Sequence, residues 1–172
     1  MPSLTTVQAV IELRPMRVDD VEHVERWDED PDVAASSGDD DWYDWPAELA
    51  RGELQWRELL IAEEDGRPVG FVQLIDARNE ESHYWGDDVA PGVWAIDIWI
   101  GSPDDRGRGL GGEMMGQALA RCFDDHGASE VWIDPLASNQ GAIRFYERLG
   151  FEFVEERDFG DDHCHVYRFA RP

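Results

Sequence analysis

The sequence predicts a single α/β domain in which a mixed central sheet carries helices on both faces. Three observations predict it. Strand-length apolar runs recur along the chain, interleaved with segments of helical periodicity. The first half reads strand, helix, hairpin, whereas the second half alternates strand and helix before a closing hairpin, an order that mixes antiparallel and parallel pairing. At 172 residues, 42% of them hydrophobic and eight of them tryptophan, the chain has ordinary single-domain size and enough apolar mass for a core. Residues 1–172 are therefore read as one domain.

Taken in order, Val10 to Leu13 reads as a first strand ended by Pro15. Asp19 is an expected N-cap, with Glu22 completing a capping box for a helix bearing Val21, Val24 and Trp27. An acidic, aromatic-studded segment follows, from Asp28 through Asp39, Asp40, Asp41 and Trp42 to Trp45. It is long for a bare connection, so it is either a functional loop or an extra short helix. Ala47 to Arg57 is expected to be helical, weakened by Gly52. Leu59–Ala62 and Val69–Asp76 read as strands around the turn pair Asp65-Gly66, a hairpin signal. A polar connection, Asn79 to Pro91, leads to the strand Val93–Ile100.

The helix from Leu110 to Phe123 places Leu110, Met114, Ala118 and Cys122 on one stripe, with Met115 and Leu119 beside it. Val131–Asp134 is a short strand. Ser138 or Asn139 caps a helix over Gln140–Leu149, stopped by Gly150. Phe151–Glu156 and Cys164–Phe169 close the domain as a hairpin around Gly160-Asp161-Asp162.

Chemistry enters at Arg106-Gly107-Arg108-Gly109-Leu110-Gly111-Gly112, a glycine-rich turn between strand and helix. Such a turn leaves backbone N–H groups exposed at a helix N-terminus, which suits a phosphate or pyrophosphate, and Arg106 and Arg108 can add charge. A plain connector is the competing reading. A P-loop is excluded, since it needs a lysine and this chain has none. The dinucleotide fingerprint fits the glycines from Gly107 to Gly112, but that loop belongs to an early βαβ unit, and this one lies in the second half. The spacing Arg106-x-x-Gly109-x-Gly111 also fits Q/R-x-x-G-x-G/A. Further on, Asp134-Pro135-x-x-Ser138-Asn139-x-x-Ala142-Ile143-x-x-Tyr146-x-x-Leu149-Gly150-Phe151 falls where the next strand–helix unit would lie.

These two motifs, in this order, resemble the GNAT superfamily of N-acetyltransferases. With Gly92-Val93-Trp94-Ala95-Ile96-Asp97, they are most similar to aminoglycoside 6′-N-acetyltransferases. The resemblance covers Val93 to Phe169, with an acetyl-CoA-binding core over about residues 93–151. It implies a GNAT-like fold and direct acetyl transfer from acetyl-CoA to an amine within a ternary complex. It also implies that the amides from Arg106 to Gly112 hold the pyrophosphate, that the backbone at Ile98 and Ile100 pairs with pantetheine, and that the Asn139 amide bonds the same arm. Tyr146 would lie near the coenzyme sulfur and protonate the departing thiolate, and Asp134 would contact the acceptor.

The residues speak to the same chemistry on their own. An ammonium must lose a proton before it attacks a thioester, and a nearby carboxylate can accept that proton. Asp97 interrupts an apolar strand, on the face of Val93, Ala95 and Trp99 and opposite Trp94, Ile96, Ile98 and Ile100. Partial burial there raises a carboxyl pKa towards the working range, unless the acid is a structural one paired with arginine. Asp134 sits at the carboxyl edge of its strand, where ligands of open sheets gather or where a turn simply favours aspartate. Asp162 offers a third acidic contact with the same alternative. Asn139 can be only a cap, and Tyr146 only a packed ring. Trp85 and Asp88, like the Asp39–Trp45 segment, combine ring and acid in a way that suits amino sugars, or else fill core or dimer contacts. His163 and His165 flank Cys164 on one strand face, but no third ligand has recognisable spacing, so no metal is expected.

The balance of 39 acids against 15 bases, net −24, disfavours nucleic acid and favours a small cationic amine as partner. Solubility or life in high salt would also explain it. No membrane-length apolar run and no leader-like pattern in Met1–Gln8 are present, and two distant cysteines suit a reducing, cytoplasmic setting. A monomer or homodimer is expected. Competing functions are acetylation of protein N-termini or of a small metabolite amine, and an acidic module that only binds cations.

Overall fold

The computed structural model describes residues 10–37 and 43–171. The elements run β1 (Ile11–Pro15), α1 (Val21–Asp28), α2 (Pro31–Ser37), α3 (Trp45–Ala50), β2 (Arg57–Glu64), β3 (Arg67–Asp76), β4 (Val93–Ile100), α4 (Leu110–Ala120), β5 (Glu130–Ile133), α5 (Gln140–Arg148), β6 (Glu152–Phe159) and β7 (Asp162–Ala170). All seven strands join one sheet in the order β1-β2-β3-β4-β5-β7-β6. Only β4 and β5 pair in parallel; every other pair is antiparallel.

Local chemistry accounts for most boundaries. Asp65 and Gly66 both take positive φ, 51° and 82°, the two-residue geometry whose twist matches that of the flanking strands β2 and β3. The stripe Leu110, Met114, Met115, Ala118 and Cys122 is buried throughout and packs α4 on Trp94, Ile96 and the inner strands. Ile143 brings α5 onto the same layer. Val24 and Trp27 of α1 and Trp45 of α3 cover Ile61 and Phe71 on the opposite face, so both faces are clothed as expected. The edge strand β1 is blunted by α4: Gln117 donates from Nε2 to the Ile11 carbonyl (2.7 Å) and accepts from the Leu13 amide (3.1 Å).

Several expectations are corrected. The acid that organises the start of α1 is Asp20, not Asp19. Its buried carboxylate accepts from the Arg17 amide at 2.7 Å and from both terminal nitrogens of Arg14 at 2.7 and 2.8 Å. Helix α3 ends at Ala50 rather than Arg57, because Gly52 turns the chain at φ 73° and Arg57 pairs with Ile75 in the sheet. The regular part of α4 stops at Ala120, and a wider turn, Arg121–Asp125, carries Cys122 and Phe123. The acidic segment does hold an extra helix, α2; Asp39, Asp40, Asp41 and Trp42 lie outside the described residues.

Beyond β4 the backbone of Gly101 lies flat against the Trp27 ring, and a Cβ there would come within 2.1 Å of Cε2. Gly101→Ala is therefore expected to lower stability by about 1–3 kcal/mol, the usual cost of overpacking, as read from the midpoint of urea unfolding.

Candidate active site

The site begins with a divergence in the sheet. Strands β4 and β5 pair over only three positions, Val93–Glu130, Trp94–Val131 and Ala95–Trp132. β4 then continues to Ile100 while β5 ends at Ile133. On its other side β4 bonds to β3 through its odd-numbered residues: the Ala77 amide reaches the Val93 carbonyl (3.0 Å), and the Gly101 amide reaches the Val69 carbonyl (2.9 Å). Strand alternation then turns the amides and carbonyls of Ile98 and Ile100 towards the gap. An amide-bearing chain laid there would extend the ladder as a strand does.

At the end of β4 the chain makes a short turn, Pro103–Asp105, and enters α4. Gly109 is the N-cap, with φ 83°, and no side chain caps the helix. The first-turn amides of Leu110, Gly111 and Gly112 therefore lack intrahelical acceptors and sit at the positive end of an eleven-residue helix. Gly107 is also left-handed, at φ 70°. The start of α4 lies close to α5, since a Cβ at Gly111 would meet Phe145 at 3.2 Å. This stretch fits a diphosphate through its backbone.

The two arginines of the turn are held by carboxylates. Arg106 donates to Asp30 (2.9 Å), Asp32 (2.8 Å) and the Gly101 carbonyl (3.4 Å), which ties the turn to the start of α2. Arg108 reaches Glu64 (2.5 Å) and Asp105 (2.8 Å), and Arg67 bonds the same two acids. Asp105 and Glu64 are buried, and the guanidinium groups of Arg67 and Arg108 hold their carboxyls below the usual range.

Asp97 is half-buried on the face that the alternation assigned. Its neighbours in strand, Val93 and Ala95 on one side and Trp99 on the other, belong to the clusters opposite α4. Burial pushes its carboxyl up, offset in part by Gln73, whose Nε2 donates to Oδ2 at 2.8 Å. Among the described residues no arginine pairs with Asp97, so the structural ion pair is absent. Gln73 stands opposite Asp97 in register and is itself buried. Gln73 Oε1, on the amide that binds Asp97, and Trp99 Nε1, two residues further along β4, are buried without a hydrogen-bond partner among the described residues. A buried acceptor and a buried donor left in this state mark a place for polar partners.

Asp134 follows β5 and accepts from the Tyr84 hydroxyl at 2.6 Å; Tyr84 stacks on Phe159 at 4.4 Å. The α5 cap is Asn139, which accepts from the Ala142 amide at 3.1 Å. Tyr146 projects from α5 against Phe151. Burial, then the charges of Asp97 and Asp134, raise its hydroxyl pKa, so the ring senses both carboxylates. The structure thus brings Asp97, Asp134 and Tyr146 together at the mouth of the β4–β5 gap.

Trp85 packs edge-on to Tyr84 at 5.5 Å. Trp85 is 5% exposed, wedged against Trp132 and Phe159, and offers a ligand little surface. Asp88 is exposed, and Asp162 is half-buried at the start of β7. Gln73 is not among the residues expected from sequence, and Tyr84 is expected only as part of the acid-and-ring loop His83–Asp88, without a role of its own. A lone glutamine in the apolar run Val69–Ile75 is a usable signal for the first; for the second, no local pattern points to Asp134 as its partner.

With this geometry in view, comparison with known proteins places the chain. A family model described as an acetyltransferase (GNAT) domain matches residues 17–159. The chain belongs to that family. The aminoglycoside N(6′)-acetyltransferase type 1 of Klebsiella pneumoniae is 34% identical over 122 residues, which is 63% of this chain and 61% of that protein. The chain thus spans about 61% of the length of the curated relative it matches. The solved structure of the aminoglycoside acetyltransferase AAC(6′)-Ib with coenzyme A superposes with a TM-score of 0.82 at 25% identity, covering 94% of this chain and 95% of the other. The complex of AAC(6′)-Ib with ribostamycin and coenzyme A gives the same TM-score and identity, covering 94% and 93%.

The carboxylate network that braces the turn has a measurable role. Asp105→Asn is expected to cost about 1.5–3 kcal/mol of stability, the range for hydrogen bonds to charged groups, as read from urea unfolding. Because Asp105 and Glu64 titrate below their ordinary values, their contribution is complete above those values and is lost as pH falls through the lowered ones. Acid unfolding of Asp105→Asn should accordingly show a weaker pH dependence than wild type.

Proposed function

We propose that this protein transfers the acetyl group of acetyl-CoA to a primary amine of a small polycationic substrate, the 6′-amine of an aminoglycoside. The observation that carries this reading is the convergence of Asp97, Asp134 and Tyr146 where β4 and β5 part. The names of the relatives and of the solved complexes support the same acceptor class.

Acetyl-CoA, when bound, supplies the activated thioester. The amides of residues 107–112 hold its diphosphate, and the gap-facing backbone of Ile98 and Ile100 pairs with its pantetheine arm, aided by the Asn139 side chain. Arg106 and Arg108 act on that loop through the acids they bind, and hold it in shape. Asp97 orients the substrate ammonium and accepts its proton, directly or through one water, so that the neutral amine can attack the thioester carbonyl. Its raised pKa brings it closer to that task than a solvated aspartate. The Tyr146 hydroxyl gives its proton to the departing sulfur. Asp134, held by Tyr84, carries a second ammonium, and the unpartnered Gln73 Oε1 and Trp99 Nε1 receive hydroxyl and amino groups of the sugar. Trp85, Asp88 and Asp162 would lie further out on the acceptor side. The net charge of −24 concentrates such a polycation near the cleft. The partner is a small molecule; no described helix is long and apolar enough to cross a membrane.

Coenzyme A release with aminoglycosides that do or do not bear a 6′-amine tests the reading. Turnover is expected only with the amine, and equal inactivity on both would overturn it. Asp97→Asn is expected to lower kcat/KM at least about tenfold. In wild type, kcat should fall as pH drops through the raised pKa of Asp97, where the base gains a proton, and that acidic limb should vanish in the variant. Wild-type turnover in Asp97→Asn would remove the assigned role.

A further inference from the structure

We propose that the closing hairpin β6–β7 carries a site for one divalent transition-metal ion of the zinc class, built from Glu156, His163 and His165. The two histidines are separated by one residue on β7 and so share a strand face. Glu156 lies across the ladder, paired in register with His165. Its two oxygens approach the two imidazoles separately: Oε1 is 3.6 Å from His165 Nε2, and Oε2 is 3.5 Å from His163 Nε2. The three donor atoms lie within 4.8 Å of one another.

These spacings suit coordination. Bonds of about 2.0–2.1 Å around a tetrahedral centre place neighbouring donors about 3.3–3.4 Å apart, so small side-chain movements complete the set. The tautomer is also provided for. His163 Nδ1 is 2.6 Å from Asp158 Oδ1, so in the neutral ring Nδ1 keeps the proton and Nε2 presents its lone pair. A carboxylate behind a ligating imidazole is the usual outer partner of such ions. The backbone beneath is fixed. The His165 amide donates to the Pro135 carbonyl (3.0 Å), and the His163 carbonyl accepts from the Ala137 amide (2.9 Å). Phe153 packs edge-on to His165 at 5.4 Å and orients that ring. Two imidazoles and one carboxylate select zinc-like ions over calcium or magnesium, which take oxygen shells. His163 and Glu156 are exposed, so water would fill the remaining position.

None of these residues takes part in acetyl transfer as described above. The ion would instead clip β6, the outermost strand, to β7, and so stabilise the folded chain in proportion to its concentration.

Zinc alone is the probe. Metal-free full-length protein without a histidine tag is titrated with Zn²⁺ against a chromophoric chelator, and thermal unfolding is followed with and without the ion. One equivalent is expected to bind wild type, with a rise in Tm. Affinity should fall at least about tenfold in Asp158→Asn, the scale of losing an outer-shell partner, and further in His165→Ala and Glu156→Gln. Circular dichroism without metal checks that each variant folds, and His83→Ala, remote in sequence and on another loop, should bind as wild type. Zinc affinity in the His163→Ala, His165→Ala double variant equal to that of wild type would overturn the site, as would failure of wild type to bind. X-ray absorption of the zinc complex should show two imidazole ligands.

Discussion

The separation of β4 from β5 after Ala95 is the constraint on which the rest of the molecule turns. A parallel pair held over three positions and then released leaves a wedge in an otherwise continuous sheet. Every feature of the site is placed by that wedge. The even-numbered backbone of β4 faces into it, α4 begins at its upper end, α5 lines it with Tyr146, and β5 delivers Asp134 at its mouth. The two layers of helices keep the wedge from collapsing, because α4 and α5 pack on one face while α1 and α3 pack on the other.

Much of this was legible in the residues. The period of two along Val93–Ile100 fixed which face Asp97 occupies, because a strand offers only two faces and the apolar core claims both around it. Asp65-Gly66 announced its hairpin because few other pairs tolerate two positive φ angles. The two motifs gave the order of the second half and, by resemblance, the family. What stayed hidden depends on partners distant in sequence. Asp20 displaced Asp19 because Arg14, across the strand end, pulls its carboxylate inward. Glu156 reaches His165 only through strand register, and Tyr84 meets Asp134 only because its ring stacks on Phe159. The first-half residues around the acceptor side carry the weakest signal, and Asp39 to Trp42 lie outside the described chain.

The charge excess also changes character in three dimensions. Every one of the 15 basic side chains is arginine. Near the glycine turn, Arg67, Arg106 and Arg108 are enclosed by Asp30, Asp32, Glu64 and Asp105. Planar guanidinium groups can serve two carboxylates at once, which a lysine ammonium does less well. The turn thus gains stiffness from charge while its affinity for anions rests with the main chain.

The bond from Arg106 to Asp30 and Asp32 has one more implication. It joins the glycine turn to the short helix α2. Displacing α2 must therefore strain the glycine turn, and anything seated on the turn must restrain α2. Linkage makes such influence mutual: whatever a ligand at one end contributes to binding at the other is returned in equal measure. A substitution in α2 would then leave its trace in whatever the amides of the turn hold, at a point remote from the change itself.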